Sequence, residues 1–255
     1  MRTISASRLQ CWQQCRLKFL FRYVLALVKP STPPLHIGKT VHAVLQAWSL
    51  ARWRKEPFKL ETFRQLFESD WKERQSDTVI NWEGEEEKQQ GLAWAVLENY
   101  FIETPIQADE RPEAVEVVVE ADLVSHGLPK LVGIIDLVRA GGIVVDFKTT
   151  GKTPDAEQVT HLHETQLSCY SVLYRDATGR KEAGLELHHL VKTKQPKLVV
   201  TQVAPMSDKQ QSRLFRAIES YLQGLERQDF VPSPGMTCLS CEYFGECRRW
   251  GGTHG

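Results

Sequence analysis

Residues 131–150, which read LVGIIDLVRAGGIVVDFKTT, carry two apolar segments on either side of a pair of glycines. Each segment is short and rich in β-branched residues, a composition that is typical of strands. Gly141 and Gly142 supply a tight turn between them, so the sequence predicts a β-hairpin formed by residues 131–138 and 143–148. Ionisable side chains interrupt both strands, with Asp136 in the first and Asp146 and Lys148 in the second.

The chain on either side of this hairpin alternates between helical and extended periodicity. Before it, we predict a helix that opens at Ser5 or Ser7 and runs through Tyr23, further helices over about 38–54, 60–74 and 85–101, and a strand over 115–120. After it, we predict a helix over about 155–175, strands over 185–191 and 198–203, and a helix over 207–225. This order predicts an α/β fold in which helices flank a mixed central sheet.

The length allows one large domain or two small ones. Along the chain, residues 35–110 look like a helical insertion, residues 111–227 like the core, and residues 228–255 like a Cys-rich tail. This tail is rich in Gly and Pro, and we expect little regular structure in it.

Charge and hydropathy limit the possible surroundings and ligands of the protein. The 255 residues include 32 basic and 32 acidic side chains, so any surface that binds nucleic acid must be a local groove. No apolar run approaches the roughly 20 residues of a membrane span, and the N-terminus lacks the apolar stretch of a signal peptide. We therefore expect a cytoplasmic protein without membrane contact, in which disulfides are rare.

The two strands carry three side chains that can take part in catalysis: Asp136, Asp146 and Lys148. Side chains alternate along a strand, so Asp146 and Lys148 project to one face while Phe147 points into the core. The hairpin can place Asp136 beside Asp146, and two such carboxylates can hold Mg²⁺ or Mn²⁺, which neutralises phosphoryl charge and activates water. A surface-facing Asp-x-Lys on an edge strand, with Asp136 capping a turn, is the alternative.

Three of the six cysteines lie close together in the tail, which reads CLSCEYFGEC over residues 238–247. The spacing of Cys238, Cys241 and Cys247 in a reducing compartment favours thiolate ligation of a metal over disulfides. Zinc or an iron–sulfur cluster would need a fourth ligand, and His254 is the only other candidate within the tail.

Five motifs, which follow one another from Ser5 to Cys247, resemble the PD-(D/E)xK superfamily, and within it the RecB/AddB-like exonucleases and the related CRISPR-associated RecB-like nucleases. The resemblance implies a single nuclease domain over residues 1–255, with the Cys-rich tail joined to the N-terminal helix. Two of the motifs are the cysteine segments at the chain ends, and three belong to the candidate active site. The hairpin matches G-x-x-D followed by D-x-K-T, residues 37–46 (IGKTVHAVLQ) match G-x-x-x-H-x-x-L, and Gln166 with Tyr170 matches Q-x-x-x-Y. The resemblance implies a restriction-endonuclease-like core and a catalytic set of Asp136, Asp146, Lys148, His42, Gln166 and Tyr170. It implies metal ligation by His42, Asp136, Asp146 and the main-chain carbonyl of Phe147. An acid on the first strand often accompanies them, and here Glu116 and Glu120 are equal candidates.

The N-terminal segment 5–25, SASRLQCWQQCRLKFLFRYVL, resembles the opening of those nucleases that carry a [4Fe–4S] cluster. The resemblance implies that Cys15 joins Cys238, Cys241 and Cys247 around the cluster, although Arg16 stands where the family usually has proline. Cys11, four residues earlier, is the rival ligand, and structural zinc in the same four positions is the alternative metal. Cys169 is expected to be an ordinary buried residue.

These resemblances imply an Mg²⁺- or Mn²⁺-dependent deoxyribonuclease. The expected activity is that of an exonuclease acting on single-stranded DNA or DNA ends in repair, recombination or defence. The sequence has no P-loop for ATP, so a helicase or another repair or defence protein is an expected partner besides DNA. A non-catalytic DNA-binding accessory subunit with the same fold, and a zinc-binding interaction module with incidental acids, remain as alternatives.

Overall fold

A computed structural model describes residues 3–76 and 79–252. The strands are β1 (Thr3–Ile4), β2 (Ala114–Ala121), β3 (Lys130–Arg139), β4 (Ile143–Thr150), β5 (Gly184–Val191) and β6 (Lys197–Val203). The α-helices are α1 (Ala6–Gln14), α2 (Arg16–Phe19), α3 (Pro33–Trp53), α4 (Leu60–Ser76), α5 (Glu86–Glu103), α6 (Ala156–Leu162), α7 (Glu164–Thr178), α8 (Asp208–Glu226) and α9 (Phe244–Arg249). A π-helical turn (Leu20–Val24) and two 3₁₀ segments (Val124–His126 and Met236–Ser240) complete the regular structure within these ranges.

The strands form one mixed sheet in the order β1-β3-β4-β5-β6, and β2 pairs with β3. β3 is antiparallel to both β2 and β4, whereas β4 and β5 are parallel from Ile143↔Gly184 to Thr150↔Val191. Both glycines of the hairpin turn have positive φ, of 80° for Gly141 and 81° for Gly142, a conformation that favours glycine. The predicted mixed sheet flanked by helices is confirmed.

Helices cover both faces of the sheet, and each face has its own apolar core. The first core joins the N-terminal helices, α7 and α8 to the sheet, and the second joins α3, α4 and α5 to the opposite face. Close approach on the first face depends on Gly133 of β3, where a Cβ atom would lie 2.7 Å from Leu173 of α7. Phe147 is 3% exposed and packs in the second core, as the alternation along β4 predicts.

A buried network of charges joins the predicted helical insertion to the sheet. The Arg139 guanidinium donates to both carboxylate oxygens of Glu110 and to both of Glu186, at 2.8–3.0 Å. His188 continues the network, with Nε2 at 2.9 Å from Glu186 and Nδ1 at 3.0 Å from the Tyr100 hydroxyl on α5. Burial alone would raise the pKa of Glu186, but the hydrogen bonds from His188 and Arg139 lower it below its ordinary value.

Several predicted boundaries are wrong, each for a local reason. The continuous N-terminal helix is interrupted at Cys15, which is extended (φ −164°, ψ 115°) and ends α1 while its Sγ caps α2. The helix predicted from residue 38 begins at Pro33, because proline suits the first turn of a helix.

Two further predictions fail in the C-terminal half. The helix predicted over 155–175 is two helices that meet at His163. The tail is more regular than expected, since it holds a 3₁₀ segment and α9. Within the described residues, no helix has both the length and the apolar character that crossing a membrane requires.

Candidate active site and cysteine group

The candidate active site lies where β3 and β4 separate. The hairpin pairs Leu137 with Val145, and the pairing stops before the next two residues, Asp136 and Asp146. Asp136 reaches across the gap, where its Oδ2 accepts a hydrogen bond of 3.0 Å from the Phe147 N–H. The predicted pair of carboxylates is therefore brought together by the splaying of two antiparallel strands. Both are largely buried, with side-chain exposures of 11% for Asp136 and 2% for Asp146.

Lys148 and two side chains of α7 surround Asp146. Lys148 Nζ lies 2.6 Å from Asp146 Oδ2 and donates to Gln166 Oε1 at 3.1 Å. Gln166 Nε2 in turn donates to Asp146 Oδ1 and to the Tyr170 hydroxyl, both at 2.9 Å. Tyr170 adds a longer contact of 3.4 Å to Asp146 Oδ1. Gln166 and Tyr170, four residues apart, thus share the helix face that the sequence predicts.

His42 reaches the same place from the other side of the sheet, because α3 packs against β2 and β4. Its Nε2 lies 3.0 Å from the Phe147 carbonyl oxygen, and its Nδ1 lies 3.6 Å from Asp136 Oδ2. The candidate ligands His42, Asp136, Asp146 and the Phe147 carbonyl therefore form one continuous group, in which His42 and the carbonyl contact each other.

The structure distinguishes the two candidate glutamates of β2. Glu120 is exposed and its Oε2 lies 3.3 Å from Lys130 Nζ. Glu116 lies beside His42 in a groove. Burial raises the pKa of Glu116 above its ordinary value, and His42 offsets part of this shift. The two equal candidates of the sequence are thereby reduced to Glu116 at the site.

Glu116 also has a backbone conformation that is uncommon for a side chain with a Cβ atom, with φ of 46° in the middle of a strand. Residues two apart in a regular strand share a face, yet Val115 packs in the second core and Val117 in the first. The neighbouring strand β3 makes the same change of face at Asp136, which lies opposite Glu116. There Ile135 packs in the first core and Leu137 in the second. The two strands are therefore distorted at Glu116 and at Asp136, and both of these acids lie near His42.

The donor set suits a hard divalent cation, which prefers carboxylate and carbonyl oxygens. Asp146 Oδ2 is buried and accepts no hydrogen bond within the described residues, because the Lys148 ammonium approaches it outside hydrogen-bond geometry. Within the same residues, no three His, Cys, Asp or Glu side chains stand ready at metal-ligand positions.

Burial raises the pKa of Asp136 from an ordinary value near 3.8 to about 6, and the charge of Asp146 adds to the shift while His42 and Lys148 oppose it. A carboxyl whose pKa is higher in the folded state stabilises the fold when protonated and loses that stabilisation as the pH rises. We therefore expect the metal-free protein to lose about 2 kcal/mol of stability through this group between pH 4 and pH 6.

Asp136→Asn removes the titrating group but retains an oxygen that accepts from the Phe147 N–H. The difference in unfolding free energy between this variant and the wild type, measured by urea denaturation in a chelator, should grow in favour of the variant as the pH rises through this window. A difference that is the same at pH 4 and pH 7 would contradict the raised pKa.

Two histidines near Lys148 were not identified from the sequence. His189 faces Lys148 in the β4–β5 register, and the His163 ring lies 6.2 Å from the His189 ring. Burial is the main cause that lowers the pKa of His163 and that of His189, the latter to about 4. His189 stands beside His188 inside an otherwise apolar strand (LELHHLV), and this is the signal that could have indicated it. No such signal marks His163, which lies between α6 and α7.

Four cysteines from the two ends of the chain line one small cavity of about 50 Å³: Cys15, Cys238, Cys241 and Cys247. We call these residues the cysteine group. The pKa of the Cys247 thiol is raised by burial and, after that, by the charges of the other three cysteines. The break at Cys15 turns this residue out of the helix and towards the tail. His254, the other candidate ligand of the tail, lies outside the described residues.

Cys11 and Cys169 lie apart from this cavity in the first core. Burial raises the pKa of Cys11 to about 11 and that of Cys169 to about 12, so both remain protonated thiols. The geometry thus favours Cys15 over Cys11 as the N-terminal member of the group.

Comparisons with known proteins concern the chain as a whole. A family model described as the PD-(D/E)XK nuclease superfamily matches residues 3–248. A crystal structure of a candidate exonuclease from Eubacterium rectale superposes with a TM-score of 0.67 at 12% sequence identity, covering 100% of this chain and 90% of that one. At this identity the likeness concerns the fold.

A second solved structure, of the protein SSO0001, gives a TM-score of 0.47 at 12% identity over 97% of this chain and 86% of that one. A search of curated proteins finds no match.

Proposed function

Because the chain belongs to the PD-(D/E)XK nuclease superfamily, we propose that it is a Mg²⁺- or Mn²⁺-dependent deoxyribonuclease acting as an exonuclease on single-stranded DNA or DNA ends. The observation that carries this proposal is the convergence of Asp136, Asp146 and Lys148 at the point where β3 and β4 separate. An incidental Asp-x-Lys on an edge strand would not be buried between two covered faces of a sheet.

Four groups of the chain would hold the cation: the carboxylates of Asp136 and Asp146, the imidazole of His42 and the carbonyl of Phe147. Glu116 is a further candidate beside His42. When bound, a divalent cation supplies charge neutralisation at the phosphoryl oxygens and a water of lowered pKa. The chain itself fixes the positions of the acids, since Phe147 N–H holds Asp136 and Gln166 holds Asp146.

Lys148 is the group that would act on the phosphate and the attacking water. Its side chain is 25% exposed, so it is accessible from the site while anchored to Asp146 and Gln166. A cation at this position orients a water molecule and stabilises the negative charge that develops in the transition state. Gln166 and Tyr170 would position Asp146 and Lys148 for this purpose.

The cysteine group would hold a [4Fe–4S] cluster, with structural zinc as the alternative. Four thiols at one cavity match the ligand number of either metal group. Polar contacts already bring the two chain ends together around it. The Tyr243 hydroxyl donates to the Leu27 carbonyl at 2.9 Å, and ion pairs join Lys29 to Glu246 and Lys18 to Glu242. Ligation free energy would therefore stabilise the whole domain rather than the tail alone.

DNA is the proposed substrate, in repair, recombination or defence. A helicase or another protein of these processes is the proposed partner, because the sequence has no P-loop.

The purified protein should release nucleotides from single-stranded DNA in Mg²⁺ or Mn²⁺. Chelation with EDTA should remove this activity, and readdition of Mn²⁺ should restore it, because the chain's own acids cannot neutralise phosphoryl charge. Labelled strands separated on a gel measure both the rate and the pattern of products. Metal-reversible DNA binding without any cleavage would instead favour a non-catalytic accessory subunit.

A further inference from the structure

A groove of about 500 Å³ opens beside the candidate metal site, between the N-terminal half of α3, the end of α4 and β2. It is lined by Pro34, Leu35, Gly38, Lys39, His42, Ala43, Gln46, Arg74 and Glu116. His42 forms part of this lining and also contacts Asp136 and the Phe147 carbonyl. The groove therefore leads directly to the place where a phosphodiester bond would be cleaved.

Two cations line the groove. Lys39 is exposed and forms no hydrogen bond or ion pair with any residue in 3–76 or 79–252. Arg74 is held by its neighbour on α4, because its Nε donates to Asp70 Oδ2 at 2.5 Å. This contact fixes the guanidinium at the edge of the groove, where its planar fork can donate to a phosphate.

The zero net charge of the chain gives weight to the two cations of the groove. The 32 basic and 32 acidic side chains cancel, so the protein as a whole has no net attraction for a polyanion. Binding of DNA must come from local sites at which cations can reach the phosphates. Lys39, which forms no ion pair with the described residues, is such a cation within one helical turn of His42. Arg74 is paired with Asp70 through its Nε, and its other N–H groups remain as donors.

We propose that this groove binds the substrate strand next to the cleaved bond, with Lys39 and Arg74 as positioning residues that contact its backbone phosphates. The inference rests on the proposed nuclease function and adds the path of the strand. Leu35, which is 46% exposed, offers an apolar contact for a sugar or a base in the same groove.

Lys39→Gln and Arg74→Gln test this path, and Lys72→Gln is the matched control. Lys72 is an exposed lysine on α4 that does not line the groove. Fluorescence anisotropy of a labelled single-stranded oligonucleotide, measured in EDTA to prevent cleavage, gives the dissociation constant without any need for activity. We expect each groove variant to bind about 10-fold more weakly and to lower the slope of log affinity against log salt by about 0.7. The control should leave both quantities unchanged.

Kinetics then separate strand positioning from an indirect effect on His42. In Mn²⁺, the groove variants should raise KM for the oligonucleotide and leave kcat unchanged. They should not alter hydrolysis of thymidine 5′-(p-nitrophenyl phosphate), which has no neighbouring phosphates. Equal losses on both substrates, or binding by Lys39→Gln as tight as that of the control, would overturn the proposed path. A wild type that binds through the groove but hydrolyses neither substrate would overturn the nuclease function and leave the groove standing.

Discussion

Asp146→Asn is expected to lower the rate of DNA hydrolysis by about 10³-fold or more, because it removes charge from a ligand at the centre of the site. Asp146 contacts Lys148, Gln166 and Tyr170, so no other carboxylate can take its position. Asparagine has the same shape, and Gln166 can still donate to its oxygen. The folded structure should therefore survive, as circular dichroism and thermal melting would show.

Steady-state hydrolysis of single-stranded DNA, with Mn²⁺ titrated over a wide range, measures this effect. Lys148→Met should lower the rate to a similar extent without weakening metal affinity, since Lys148 repels rather than binds the cation. Asp176→Asn, an exposed acid on α7, is the matched control and should retain full activity. Full activity of Asp146→Asn would exclude the proposed active site.

The second large effect is expected from Cys15→Ala. This substitution should remove the iron and the brown colour of protein prepared without oxygen, and it should lower the melting temperature by about 10 °C or more. The reason is that Cys15 is the one member of the cysteine group that lies near the N-terminus, so its loss would remove the ligation that joins the N-terminal segment to the tail. Iron and sulfide analysis, absorption spectra and thermal melting measure the outcome.

Cys11→Ala is the sharpest control, because Cys11 lies only four residues earlier but packs in the first core. It should retain the full iron content, and so should Cys169→Ala on α7. Loss of iron from Cys11→Ala alone would make Cys11 the ligand in place of Cys15. Zinc without iron in the wild-type protein would replace the cluster with a structural zinc site.

Local patterns in the sequence determined the hairpin, the mixed sheet and the residue types of the site. The period-two alternation places Asp146 and Lys148 on one face and Phe147 on the other, and the four-residue spacing places Gln166 and Tyr170 on one helix face. These relations depend on backbone geometry over a few residues, so they can be predicted without knowledge of the fold.

Only the tertiary structure decided between candidates that local patterns leave equal. Glu116 and Glu120 lie four residues apart on one strand, so the alternation of side chains gives both the same face. In the structure, the left-handed backbone at Glu116 accompanies a position beside His42, whereas Glu120 pairs with Lys130 on the surface. Cys11 and Cys15 lie four residues apart, so a continuous helix would place both on one face. The break of the helix at Cys15 instead directs the Cys15 thiol to the tail.

Tertiary packing also brings together the buried charged network and the two histidines near Lys148. Arg139, Glu110 and Glu186 meet only because the helical insertion packs on the sheet. His163 lies near His189 only because the junction of α6 and α7 packs beside β5. Contacts of this kind, whether between charges or between neutral rings, join residues far apart in the chain, so no periodicity of the sequence records them. The chain by itself thus determined which chemical groups are present and which face each one occupies. The packing of two helical layers on a splayed pair of strands decided which of those groups meet, because burial and close contact depend on elements that are distant in sequence.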